Sequence, residues 1–105
     1  MNEETPKHVE GFTETLNKKE PPEHFSSPLK ALWHAANGSW HKAHEIIMND
    51  DSKEAAWVHA HLHRVEGDHA NANYWYGVAG KEPCKDPHQI ELSMIAYGLL
   101  MMGGR

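Results

Sequence analysis

The sequence has little of what usually holds a small domain together. Its single cysteine, Cys84, cannot form an internal disulfide, which favours a reducing compartment such as the cytoplasm. Leu, Ile, Val and Phe supply only 17 of the 105 residues, a fraction low enough to raise the question of disorder. The longest apolar run, Leu99–Met102, is too short to cross a bilayer, and no secretory signal is present. We therefore expect a cytoplasmic protein with no membrane partner.

Basic charge is also scarce. Lys and Arg number 10 against 15 Asp and Glu, which gives a formal net charge of -5 with neutral histidine. The basic face that binds phosphate backbones is missing, so the composition argues against a nucleic-acid partner. Phosphate loops, dinucleotide fingerprints and serine-based triads are missing from the sequence as well. These absences favour a binding protein over an enzyme.

What the chain has instead is four Trp, three Tyr, five Met and 11 Ala. Large aromatic rings packed against Ala are typical of close contact between helices. The helical spacing of the apolar residues predicts an all-α fold of five or six helices in a single domain. We predict a polar N-terminal arm at 1–26 containing a short helix, followed by a helical-hairpin domain at 27–105.

A 29-residue repeat organises the centre of the chain. Displacing the sequence by this length aligns three pairs of small residues: Ala31 with Ala60, Gly38 with Gly67, and Ala43 with Ala72. Small residues let paired helices approach closely, and glycine permits a sharp turn between them. The repeat predicts stacked antiparallel helical hairpins at about 28–50 and 53–80, closed by a capping helix at about 87–102.

The second hairpin resembles the tetratricopeptide repeat. That family has an Ala on its first helix, a Gly-Asp-like turn, and an Ala, an aromatic residue and another Ala on its second helix. The residues that match this pattern here are Ala60, Gly67, Asp68, Ala72, Tyr76 and Ala79. The family repeats at about 34 residues. The resemblance therefore implies the stacked hairpins rather than the family's superhelical groove.

The region from about 32 to 80 is also similar to a group of small bacterial proteins that have no assigned activity. The shared segments include Trp33-His34, Ala43-His44-Glu45, Ala56-Trp57-Val58-His59-Ala60, Glu66-Gly67-Asp68 and Tyr74-Trp75-Tyr76. This resemblance implies a helical fold and a bacterial origin. It implies no particular chemistry.

Histidine is in excess, with 10 residues in the chain. His59 and His63 are four residues apart and share a helix face, the geometry in which two imidazoles bind one metal ion. Paired helices could bring His34 and His44 to the same place. The four histidines then form a candidate divalent-metal site suited to zinc or nickel. Alternatively, they are core histidines that hydrogen-bond to backbone carbonyls or to Trp.

A surface groove is the second candidate site. We predict that Trp57 lines it, with His61 and Arg64 beside it. Glu66 and Asp68 could orient Arg64 toward a carboxylate or phosphate ligand. The alternatives are that the aromatic rings belong to the core and that the charged residues form a helix cap and a surface ion pair.

These patterns support two functions. The first is a module for protein or peptide interaction or self-association, including a homodimer through the apolar C-terminal helix at Ile95 and Leu99. The second is a histidine-rich divalent-metal-binding protein or a small metalloenzyme. The hairpin repeat, the aromatic surplus and the apolar last helix favour the first.

Overall fold

Six α-helices make up the described part of the chain, residues 7–103 of a computed structural model, with side chains described for 11–101. In chain order they are α1 (Lys7–Thr15), α2 (Ser27–Ala36), α3 (Trp40–Met48), α4 (Lys53–Val65), α5 (His69–Ala79) and α6 (His88–Gly103). These residues contain no strand, so the predicted all-α class with five or six helices is confirmed. A radius of gyration of 12.7 Å is that of one compact globule.

Glycine turns close the two hairpins. The turn after α2 contains Gly38 and the turn after α4 contains Gly67, with φ of +84° and +87°, a conformation that favours a residue without Cβ. In both turns the N–H of the following residue, Ser39 or Asp68, donates to a carbonyl of the preceding helix at 2.8 and 2.9 Å. The repeat read from the sequence is therefore also a repeat of turn geometry.

Side-chain caps define where the second hairpin begins. Ser52 Oγ accepts a hydrogen bond from the backbone N–H of Ala55 at 3.0 Å at the start of α4. Asp68 accepts one from the N–H of Asn71 at 3.3 Å at the start of α5. The first of these caps fixes the beginning of α4, the helix that carries most of the candidate site residues.

Helix α4 is central in the fold. It pairs with α5 as α2 pairs with α3, and it also contacts α2, α3 and α6. The four alanines aligned by the repeat are all buried, which lets the helices approach closely: Ala31, Ala43, Ala60 and Ala72. Because α4 has neighbouring helices on several sides, it buries side chains that point in opposite directions.

The segment predicted as a polar arm contributes to the core. Phe12 of α1 and Phe25, just before α2, are both buried, and their rings stack with centroids 6.1 Å apart. They belong to the same hydrophobic cluster as the side chains of α2 and α4, and α1 packs against α6.

Helix α6 has two apolar faces in different surroundings. Ile95 and Leu99 are buried in the protein's own core, where α6 meets α1, α2 and α4. They are therefore not available to a partner, and a dimer contact on this helix must use other residues. Exposed apolar side chains lie on its other face. Within 7–103, no helix has both the length and the apolar character needed to cross a membrane.

Candidate metal centre

Three histidines converge between α3 and α4. His44 comes from α3, His59 and His63 come from α4, and one ring nitrogen of each lies within 4.8 Å of the others. The Nε2 atoms of His44 and His59 are 3.1 Å apart. Two nitrogens on one tetrahedral zinc ion, with Zn–N bonds of about 2.0–2.1 Å, are separated by about 3.3 Å. This pair therefore has a spacing close to that of two metal ligands. We call His44, His59 and His63 the three-histidine cluster.

The orientation of the rings follows from the helices that carry them. His59 and His63 are one turn apart on α4, and their rings stack with centroids 4.9 Å apart. The His44 ring meets both of them edge-on, at 4.8 and 5.5 Å. The short turn between α3 and α4 and the contact between these helices bring the third ring to the first two.

Two tryptophans enclose the cluster. Trp40 stacks on His44 with centroids 4.8 Å apart, and its indole Nε1 donates to the carbonyl of Leu62 at 2.7 Å. Trp75 of α5 stacks on His59 with centroids 4.0 Å apart. These stacked contacts restrict the rotation of the His44 and His59 rings, and they exclude water from the ring faces that the tryptophans cover. The histidines are therefore held in position by the surrounding fold.

A carboxylate orients the third ring. Nδ1 of His63 lies 2.8 Å from Oε2 of Glu66, at the end of α4. An ionised carboxylate only accepts hydrogen bonds, so in the neutral ring Nδ1 of His63 carries the proton and Nε2 has the lone pair. Metal-binding histidines usually have such an outer partner, which fixes the tautomer and strengthens the ring as a ligand.

The local electrostatics keep two rings of the cluster, His44 and His59, uncharged. Burial, together with the neighbouring His44 and His63, lowers the pKa of His59 to about 4. Burial and the neighbouring His63 also lower the pKa of His44, and Glu66 opposes this shift. At neutral pH both rings are therefore neutral imidazoles, the form that binds metal ions.

The fourth predicted ligand lies outside this group. His34 is on α2, where its ring meets the Trp33 ring edge-on. Burial and Lys42 lower its pKa, and Glu20 opposes them, so its charged neighbours differ from those of the cluster. Of the four histidines predicted as ligands, the structure brings together His44, His59 and His63.

The predicted groove residues are distributed over two sites. Trp57 lines an open cleft of about 820 Å³ between α6 and the loop after α5. Gly98 lies close to the six-membered part of its ring, and Lys81 Nζ is 4.1 Å from the ring centroid. His61 and Arg64 do not line this cleft. Arg64 borders a smaller hollow of about 450 Å³, and His61 is buried.

His61 and Arg64 meet a carboxylate that the sequence reasoning missed. Oε1 of Glu91 accepts hydrogen bonds from His61 Nδ1 at 2.7 Å and from Arg64 Nη1 at 3.0 Å. Oε2 accepts one from the hydroxyl of Tyr76, and Arg64 also donates to the backbone carbonyl of Asp86. We call His61, Arg64, Tyr76 and Glu91 the Glu91 network.

The Glu91 network is balanced in charge. Burial alone would raise the pKa of Glu91, but the hydrogen bonds from His61, Tyr76 and Arg64 together bring it below its usual value. Burial and the bond to Glu91 raise the pKa of Tyr76 well above its usual range. Glu91 is therefore a carboxylate paired with a guanidinium, and it ties α6 to the α4–α5 hairpin.

The position of Glu91 in the sequence indicates that this residue is buried. Glu91 precedes Ile95 by four residues and Leu99 by eight, so it lies on the face of α6 that is otherwise apolar. An acidic residue in such a stripe needs a buried partner. The signal does not identify that partner, because His61 is 30 residues away in the chain.

Comparison with known protein families, with curated proteins and with solved structures finds no match for this chain. The tetratricopeptide resemblance and the bacterial origin stay predictions.

Proposed function

We propose that this protein binds a divalent transition-metal ion, zinc or nickel, through the three-histidine cluster. The observation that supports it most directly is the convergence of three ring nitrogens within 4.8 Å. Imidazole is a good ligand for both ions. Within the described residues the group contains three protein nitrogens, so solvent or a small ligand completes a tetrahedral shell. Structural zinc sites usually have four protein ligands, so the open position distinguishes this arrangement from a purely structural site.

The outer environment of the cluster also supports this proposal. Glu66 leaves Nε2 of His63 with its lone pair, and the tryptophans hold the other two rings. The competing explanation is a hydrogen bond between two neutral imidazoles, which accounts for the 3.1 Å between His44 and His59. That explanation does not require the ring of His63 or the carboxylate of Glu66. Measuring the metal content of the protein distinguishes the two explanations.

Binding, rather than catalysis, is the function proposed. Neither cleft described above is lined by His44, His59 or His63. The lone cysteine, Cys84, suits a reducing compartment, and we place the protein in the cytoplasm.

Metal binding is tested on untagged protein that has been stripped with a chelator and then titrated with zinc or with nickel. We expect uptake of about one ion per chain, measured by plasma mass spectrometry after dialysis and by calorimetry. The double variant His59→Gln, His63→Gln is expected to bind at least about a hundredfold more weakly, because two of three ligands are lost.

Two matched single variants serve as controls. His34→Gln removes a histidine on α2, outside the cluster, and His41→Gln removes an exposed histidine on the same helix as His44. Both should bind like the wild type. His44→Gln alters the least buried member of the cluster, so it tests the ligand set if the double variant unfolds. Wild-type protein without uptake at micromolar free ion would overturn the proposal, and so would a folded His44→Gln variant with unchanged affinity.

A further inference from the structure

Helix α6 has a regular stripe of exposed apolar side chains. Ile90, Met94, Tyr97 and Met101 are 50, 47, 42 and 49 % exposed. They are separated by four, three and four residues, which is the spacing of the contact positions where two helices pack along each other. The helix meets α1, α2 and α4 through its other face. We call these four residues the α6 stripe.

The charge distribution of α6 limits what can pack on this stripe. Glu91 is the only Asp, Glu, Lys or Arg in the helix, and it is 1 % exposed. The exposed face therefore has neither the charges that keep a surface helix in water nor a charge that would select an acidic or basic partner. Its complement is an uncharged apolar helix face with the same spacing.

A second copy of α6 provides that face. The spacing of four, three and four reads the same in both directions along the helix. In an antiparallel pair with its two-fold axis midway between Met94 and Tyr97, these two residues face each other across the interface, and Ile90 faces Met101. The register that places Met94 opposite Tyr97 also places Ile90 opposite Met101, as a symmetric interface requires. We propose that the α6 stripe is the contact of an antiparallel homodimer of this chain.

The cleft beside Trp57 extends this contact. Met94 and Tyr97, next to the two-fold axis, also line the cleft of about 820 Å³. A partner helix lying on the stripe therefore also contacts the side of the cleft that Met94 and Tyr97 form. The contact uses no member of the three-histidine cluster, so the dimer is independent of metal binding.

Sedimentation equilibrium over a concentration series tests the dimer. The wild type should approach twice the 11.9 kDa mass of one chain, and Met94→Glu should weaken the dimer at least about a hundredfold, because it places two buried carboxylates near the axis. Met48→Glu makes the same change at an exposed methionine on α3 and should leave the dimer intact. Circular dichroism checks that each variant keeps its helices.

A charge exchange tests the register. Tyr97→Lys should also give a monomer when alone, because each lysine then faces an apolar residue of the partner. Mixing it with Met94→Glu should restore a dimer, because the antiparallel register places the new Glu of one chain opposite the new Lys of the other. A wild type that stays monomeric at millimolar concentration, or a Met94→Glu protein that dimerises like the wild type, would overturn the interface. A mixture that does not associate would overturn the antiparallel register.

Discussion

The two sides of α4 use the same residue type in different ways. His59 and His63 point to one side, where α3 supplies a third histidine and Glu66 at the rim hydrogen-bonds to His63. His61 points to the other side, where α6 supplies the buried Glu91 and α4 itself supplies Arg64. The first side brings together histidine nitrogens that carry lone pairs. The second side pairs the carboxylate of Glu91 with the guanidinium of Arg64.

This comparison shows that the role of a histidine on α4 depends on which residues the neighbouring helix places opposite it. A histidine opposite a buried carboxylate donates its proton to a bond within the protein and stabilises the fold. His44 and His59 meet each other instead of a carboxylate, and as neutral rings they keep lone pairs. A bound metal ion can then be shared among them. Changes at the two sides should therefore affect different properties, stability at Glu91 and metal affinity at the cluster.

Glu91→Gln should have the largest effect. It removes the carboxylate opposite Arg64 and leaves a largely buried guanidinium without its counter-charge. We expect the free energy of unfolding, measured with urea, to fall by about 3–5 kcal/mol. Metal affinity should stay within about twofold of the wild type. Glu14→Gln, at an exposed position on α1, is the control for loss of one negative charge. If Glu91→Gln lost metal binding while still folded, the two sides would not be independent.

Tyr76→Phe should give a smaller loss on the same side. It removes only the hydroxyl that donates to Oε2 of Glu91 and leaves the ring in the core. Hydrogen bonds to charged groups contribute about 1.5–3 kcal/mol, so we expect a loss of about 2 kcal/mol in the same urea measurement. In the Glu91→Gln background the further loss should be smaller, because the charged acceptor is gone. Equal losses in both backgrounds would show that the hydroxyl acts elsewhere.

Glu66→Gln tests the other side. The amide oxygen can still accept from Nδ1 of His63, but it lacks the charge that strengthens the ring as a ligand. We expect zinc affinity to fall about tenfold by calorimetry, with little change in stability of the metal-free protein. Glu45→Gln removes an exposed carboxylate next to His44 in the sequence and should not alter the affinity. Equal affinities for Glu66→Gln and wild type would contradict the orienting role.

The pH dependence of the metal-free protein should be the smallest effect, and it separates the two sides. The pKa of His59 is about 4 in the fold and near 6.5 in the unfolded chain, so unfolding takes up a proton between these values. Stability should therefore fall by about 1 kcal/mol from neutral pH to about pH 5.5. The folded pKa of Glu91 is below its usual 4.5, so its contribution is lost only at more acid pH.

Urea titrations at several pH values measure these slopes. His59→Gln should reduce the decrease above pH 5 and leave the more acid one, because it removes one histidine with a lowered pKa while His34 and His44 remain. His41→Gln, at an exposed position on α3, should leave both decreases unchanged. A wild-type protein whose stability is constant from neutral pH to about pH 5.5 would contradict the lowered pKa of His59.

The parts of the fold that the sequence predicted depend on local signals. Gly38 and Gly67 identify the hairpin turns because the left-handed conformation there favours glycine. The alignment of His59 with His63 follows from the helical period alone. Such features need only residues that are close together in the chain.

What the sequence did not predict depends on the angles between helices. His34 aligns with His63 in the repeat, yet only His63 meets the other two rings, because the repeat does not specify which helix packs against each face. The meeting of Glu91 with His61 also depends on where α6 crosses α4. Those crossings result from all the packed side chains together, including Phe12 and Phe25 in a segment whose composition is polar.

The tryptophans around the three-histidine cluster give it an optical consequence. Trp75 lies flat on His59 and Trp40 lies flat on His44, so each of these indoles contacts a proposed ligand. An excited indole in such contact loses its energy readily to an ion with a partly filled d shell, whereas zinc has a filled shell. If the proposed site binds these ions, nickel should therefore quench the protein's tryptophan fluorescence more than zinc does.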